Sequence, residues 1–334
     1  MLDKITLSHG SGGRLSRDFV EKEILSRFGD GPLQSLPDAA VLPLPKSSIV
    51  FSTDSFVVQP LVFPGGNIGD LAVYGTINDI AVSGGRPLWL SLGLILEEGL
   101  ELSLLRDILD TVKTAADRCG VTVVTGDTKV VRQGQCDGMY INTAGVGELI
   151  KGFSLSQSNI KAGDKIIVSG TLGDHGMAVM TAREGLDVKN GPKSDTGPVH
   201  ILVQLISEFG SEIRIMRDPT RGGAASVLNE LIGGTRLDIL LDEETLPFSP
   251  ASRAVSETLG IDLLNVASEG RLIAVCSDAV AQKVLSLWRS REEGAGSVIV
   301  GEVKEGNGRV ILETLAGGKR LVDVPEGEIL PRIC

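Results

Sequence analysis

Cysteine is scarce in this sequence and never closely spaced. The four residues, Cys119, Cys136, Cys276 and Cys334, form no CxxC pair, and none of the three histidines stands near enough in sequence to complete a zinc signature. Cys119 and Cys276 lie in apolar-periodic stretches and read as core filler. No Lys/Arg run reaches five residues and the net charge is −11, which argues against nucleic acid and acidic membrane surfaces as partners. No apolar run reaches membrane-spanning length. The first residues carry no signal-peptide pattern, so a reduced, cytoplasmic setting is expected. The strand, Gly-rich loop and helix unit over residues 165–184 lacks the Lys-Ser/Thr ending of a P-loop. Cys334 is the last residue rather than the fourth from the end, which excludes prenylation.

What the chain does have is glycine, 42 residues of it, clustered between apolar runs, as in an enzyme with many tight loops. A length of 334 residues predicts roughly two domains. A Gly-rich loop, Ser11-Gly12-Gly13 at its centre, precedes a short amphipathic helix and offers backbone N–H groups to an anion. The pattern predicts a strand at 49–51 ending near Asp54 and a helix over 68–82 that Gly84-Gly85 stop. Leu88, Leu90, Leu92, Leu94 and Leu96 alternate as a strand, residues 102–116 follow helical spacing, and strands are expected at 121–124 and 139–148. A polar, turn-rich stretch at 151–163 follows. Beyond it come strands at 165–169, 237–241, 271–275, 297–303 and 309–313, with helices at 177–184, 199–209, 224–231, 250–259 and 279–288. The class is α/β (α+β). The division is 1–155 as a nucleotide-binding domain, 156–318 as a second α/β domain, and 319–334 as a flexible tail. His175 reads as a hydrogen-bonding loop residue.

Acids gather at element ends beside glycine: Asp54, Asp79, Asp127, Asp218 and Glu269. Hard oxygen ligands of this kind suit Mg²⁺ carrying a nucleotide phosphate, and Lys129 is the one basic residue among the first half's acidic loops. The terminal thiol of Cys334, behind Gly317, Gly318, Gly327 and Pro331, reads either as an idle chain end or as a swinging carrier. Its own carboxylate raises the thiol pKa and Arg332 lowers it.

The runs FSTDSFVV, GTINDIAVSGG, TGDTKVV, DPTRGG, ASEGRL and the closing PRIC together resemble the carbamoyl dehydratase family of hydrogenase maturation factors, in the aminoimidazole ribonucleotide synthetase-like superfamily. The resemblance spans nearly the whole chain, and PRIC separates this family from relatives such as selenophosphate synthetase. It implies a two-domain fold whose N-terminal sheets pair into a barrel in a homodimer. It implies ATP and Mg²⁺ held by Asp54, Asp79 and Asp218, with Asp127 a further candidate, and Lys129 and Glu269 meeting the folded-in tail. It also implies that a carbamoyltransferase (HypF-like) loads Cys334, that ATP drives dehydration of the carbamoyl group to a thiocyanate, and that cyanide passes to an iron-bearing scaffold complex (HypC-HypD-like).

Dehydration removes both N–H protons and needs a base, for which Glu269 is better suited than a protonated lysine. Lys129 then offsets charge on the phosphoryl group. The competing readings are a superfamily enzyme acting on a free small molecule, selenophosphate synthetase-like, and a non-catalytic thiol carrier. A tail that must meet both a partner and its own nucleotide is expected to occupy two positions, with Ile329, Leu330 and Ile333 holding the inward one.

Overall fold

The computed structural model describes residues 4–10, 14–29, 31–35, 39–40, 42–43, 46–186, 188–324 and 333–334. The Ser11-Gly12-Gly13 anion loop, Gly327 and the tail residues Ile329, Leu330, Pro331 and Arg332 lie outside them. Helix α1 (Arg14–Phe19) continues through a π-type stretch (Val20–Leu25) into α2 (Ser26–Phe28). Strand β1 (Ile49–Phe56) follows, then the short pair β2 (Val62–Phe63) and β3 (Gly66–Asn67). Next come α3 (Ile68–Val82), β4 (Gly85–Glu97), α4 (Leu102–Arg118), β5 (Thr122–Val131) and β6 (Met139–Leu149). Strands β1, β6, β4 and β5 form a sheet in that order, with β1 antiparallel to β6 and β4 parallel to β5.

Alternation explains how this sheet is covered. Leu90, Leu92, Leu94 and Leu96 share one face of β4 and join Leu71, Ile77, Leu105 and Ile108 of α3 and α4 in one core. Helix α3 begins at a capping box: the Asn67 side chain accepts from Gly69 N at 2.7 Å, and Asp70 Oδ2 accepts from Asn67 N at 3.2 Å. Unlike a surface helix, α3 is buried on nearly every side, because the second domain packs against the face that the sheet leaves open.

The second domain runs β7 (Lys165–Val168), α5 (Asp174–Arg183), α6 (His200–Leu205), β8 (Ile213–Arg217), α7 (Gly223–Ile232), β9 (Leu237–Asp242), α8 (Pro250–Leu259), β10 (Ile273–Cys276), α9 (Asp278–Arg289), β11 (Val298–Glu305), β12 (Val310–Glu313) and β13 (Lys319–Leu321). Its seven strands lie in the order β13-β12-β9-β11-β7-β10-β8. Separate apolar cores cover the two faces, one built on α7 and the other on α6, α9 and the buried Trp288.

Several elements differ from the sequence reading. Strand β1 continues to Phe56, so Asp54 lies within a strand, opposite Thr143 of β6, rather than past a strand's end. Strand β5 runs on through Asp127 and Lys129, because ladder pairing with β4 overrides their low strand propensity. Strand β8 has no counterpart in the reading, its apolar residues Ile213, Ile215 and Met216 being too few to show a period. The helix expected over 199–209 ends at Leu205. Residues 319–321 pair with β12, so the expected tail begins inside the sheet. Among the described residues no helix is long and apolar enough to cross a membrane.

Candidate active site

A cleft of about 200 Å³ opens between the two domains, lined by Asp54, Phe56, Gly75, Asp79, Asp218, Thr220, Arg221, Glu269 and Cys334. Strand β1 and helix α3 supply the first four, the second domain the next four, and the tail Cys334. Asp79 follows Asn78, which ties the domains together. The Asn78 Nδ2 donates to the carbonyls of Gly197 and Glu269 at 3.0 and 3.1 Å, and its Oδ1 accepts from Val199 N at 2.9 Å. Ser52 of β1 donates to Asp79 Oδ2 at 2.6 Å. Asp218 and Arg221 stand in the turn before α7, where Gly222 takes φ +73° as the N-cap, a conformation that costs glycine little. Gly270 allows the closest approach in the site: a Cβ there would lie 1.9 Å from the carbonyl of Asp195.

The charges of this cleft oppose one another. Burial, followed by the neighbouring Asp79, raises Asp54 to about 6. Burial and Asp79, then Asp54, raise Asp218 to about 7. Glu269 is 3% exposed, its Oε1 has no hydrogen-bond partner among the described residues, and burial with the charges of Asp218, Asp195 and Asp54 lifts it well above the carboxylate range. Among the described residues lining the cleft, the carboxylates outnumber the one cation, Arg221.

The tail enters this cleft. Ile333 is buried in the core that also holds Val266, Ala267 and Met177, and the thiol of Cys334 lies 3.3 Å from Arg221 Nε, which donates to it. Burial and the nearby Glu269 push the thiol up to about 11 against the pull of Arg221. Cys119 and Cys276 are buried among apolar side chains, as expected of filler, and burial lifts both to about 12.

Asp54, Asp79, Asp218, Glu269 and Cys334 are therefore brought together, but Lys129 and Asp127 are not with them. Both are exposed and pair with each other at 2.9 Å. They line a different hollow, of about 290 Å³, between β4, β5 and the N-terminal helices. The reason is topological. Strands β1 and β5 are opposite edges of their sheet, three strand spacings or roughly 14 Å apart. Among the described residues, Lys129 therefore stands apart from Ile333 and Cys334 within one protomer.

Among the described residues no three His, Cys, Asp or Glu side chains converge to hold a metal ion on their own. The expected trio Asp54, Asp79 and Asp218 is not a closed cage. Its surplus charge along an open cleft fits an ion that keeps water ligands and shares phosphate oxygens. The role of Arg221 escaped the sequence reading, although the dense DPTRGG run was its signal. So did that of Asn78, a polar residue deep in an apolar helix.

This pairing of sheets across an acidic cleft is that of the AIR synthase related proteins: residues 37–149 match the N-terminal domain of that family and 161–313 its C-terminal domain. A carbamoyl dehydratase HypE from Rhizobium leguminosarum bv. viciae is 44% identical over 333 residues, covering 99% of this chain and 95% of that protein. A solved hydrogenase maturation protein HypE in complex with ATP superimposes with a TM-score of 0.93 at 40% identity, covering 98% of this chain and 99% of that one. A HypE chain from a HypE-HypF complex does so at 0.81 and 41%, covering 92% and 99%. The chain belongs to the HypE family of carbamoyl dehydratases.

Proposed function

We propose that this enzyme dehydrates a carbamoyl group carried on its own Cys334, using ATP, and so supplies the cyanide ligand for nickel-iron hydrogenase maturation. The observation that carries the reading is the thiol itself, seated among Asp54, Asp79, Asp218, Arg221 and Glu269. The γ-phosphoryl group of ATP passes to the oxygen of the thiocarboxamide and ADP leaves. Loss of that oxygen as hydrogen phosphate, which carries off one N–H proton while the base takes the other, leaves S–C≡N. Glu269, unpartnered and beside the thiol, accepts a proton. Arg221 orients the sulfur. Asp54, Asp79 and Asp218 would hold Mg²⁺, which when bound shields the phosphate charge. The buried setting keeps water from the activated intermediate.

A HypF-like carbamoyltransferase loads the thiol and a HypC-HypD-like iron-bearing scaffold receives the cyanide, both in the cytoplasm. The chemistry is checked by single turnover: carbamoylated protein given MgATP releases one phosphate per chain, and the Cys334→Ser variant releases none. Phosphate release that ignores the carbamoyl load would contradict it.

The enzyme works as a homodimer. Phe51, 64% exposed, and Ile49, 53% exposed, leave an apolar face on β1. Closing two such sheets into a barrel lays the edge strands of one protomer against the other, so Lys129 and Asp127 serve the neighbouring protomer's cleft. Mixed dimers of Lys129→Ala and Glu269→Gln chains are then expected to recover activity, because one cleft of each heterodimer holds both native residues. No recovery on mixing would place Lys129 in its own protomer's cleft or outside the chemistry.

A further inference from the structure

The imidazole of His175 has no part in the chemistry above, yet it is fully buried and touches the tail. It stands in the first turn of α5, a start held firm by Asp174, whose carboxylate accepts from the hydroxyls of Thr171, Ser249 and Ser252. Nε2 lies 2.5 Å from the carbonyl oxygen of Ile333, and Nδ1 lies 2.8 Å from Ser194 Oγ. A carbonyl only accepts, so Nε2 carries the proton and the bare Nδ1 faces the Ser194 hydroxyl, which also lies 3.0 Å from Thr196 Oγ1. The edge of Phe63 packs against the ring at 5.3 Å.

Ser194 belongs to a segment that also builds the catalytic cleft. Its own N–H donates to the carbonyl of Pro64 at 2.7 Å. The neighbouring Asp195 accepts from Glu269 N at 3.0 Å, and Gly197 accepts from Asn78. The imidazole therefore bridges the last peptide carbonyl before Cys334 to the segment that fixes the backbone of Glu269. Burial holds the ring pKa down to about 4, so it stays neutral and keeps a single donor for the tail.

We propose that His175 is the positioning residue that registers the tail, gripping the Ile333 carbonyl so that the Cys334 sulfur comes to rest between Arg221 and Glu269. The proposal rests on the reading of Cys334 as the carrier thiol. Ile333 alone, an apolar side chain in an apolar wall, favours burial without fixing register, because dispersion contacts are non-directional. One directional bond at the adjoining carbonyl supplies the register. It is also light enough to release, since a net hydrogen bond contributes about 0.5–1.5 kcal/mol.

The test compares two polar replacements. In His175→Gln the amide nitrogen reaches the place of Nε2. In His175→Asn it reaches only that of Nδ1. The full-length protein is treated with iodoacetamide, and alkylation of Cys334 is followed by peptide mass. His175→Asn is expected to be alkylated about 3- to 10-fold faster than wild type and His175→Gln close to the wild-type rate. Single-turnover dehydration should slow in the Asn variant with carbamoyl loading unchanged. Equal alkylation of Cys334 in the two variants overturns the proposal. Alkylation reads the tail without the chemistry, so the latch can fail while dehydration proceeds, and can hold where dehydration is disproved.

Discussion

Glu269→Gln is expected to take carbamoyl onto Cys334 at the normal rate and to convert it roughly 10²- to 10⁴-fold more slowly. The change keeps the shape of a buried side chain and removes its ability to accept a proton. Loading is expected to need the tail extended, away from Glu269, and so to be spared. The pH dependence sharpens this expectation. Glu269 is held protonated well above the usual carboxylate range by burial and by Asp218, Asp195 and Asp54, and only its carboxylate form can act as base. The wild-type dehydration rate should therefore rise with pH until that proton is lost, and the residual rate of the Gln variant should not. Carbamoylated protein accumulating in MgATP, followed by intact mass, is the readout. Wild-type conversion by the variant would exclude Glu269 as the base.

Asp218→Asn is expected to have two opposite effects, losing turnover and gaining stability. Removing one carboxylate from the set proposed to hold Mg²⁺ should cost several kcal/mol of charge stabilisation, or roughly 10²-fold and more in ATP turnover. The stability effect follows from linkage. The folded-state pKa of Asp218 is about 7 against an ordinary 3.8. Between those values the folded chain binds more protons than the unfolded chain, so this group's contribution to stability falls as pH rises through that window. At pH 8 the native carboxylate is charged beside Asp54 and Asp79, and the amide is not. Three units taken at face value would be about 4 kcal/mol. Sharing of the repulsion among three acids, and solvent reaching a half-buried group, reduce this to on the order of 1–2 kcal/mol. The variant should melt higher than wild type at pH 8 and alongside it near pH 4. A variant with lost turnover and lowered stability at pH 8 would mean that Asp218 supports the fold.

Much of this site can be read in the sequence, for local reasons. Helix α3 spans the expected 68–82, and Asp79 stands out between Ile77 and Ile80 because a carboxylate inside an apolar run needs a purpose. Glycine clusters marked the loops that carry Asp218 and Glu269. What could not be read is long-range. His175 and Ile333 are 158 residues apart, and nothing in either neighbourhood announces the bond between them. Lys129 follows Asp127 in a run that looks like site chemistry, yet the strand order β1-β6-β4-β5 sends it to the far edge of the sheet. Order within a sheet is set by packing of whole elements, which a local pattern does not encode. Arg221 lay in a motif already noted, but its contact with the thiol depends on where the tail docks.

The central claim is that one chain both carries the group on Cys334 and dehydrates it there. The most direct measurement is the intact mass of the protein after treatment with carbamoyl donor and a HypF-like transferase, first without and then with MgATP. The account predicts a gain matching one carbamoyl group, then the loss of one water when MgATP is added, with neither change in Cys334→Ala. A carbamoyl gain that persists unchanged in MgATP would make the chain a carrier only, and no gain at all would make it an enzyme of free substrates.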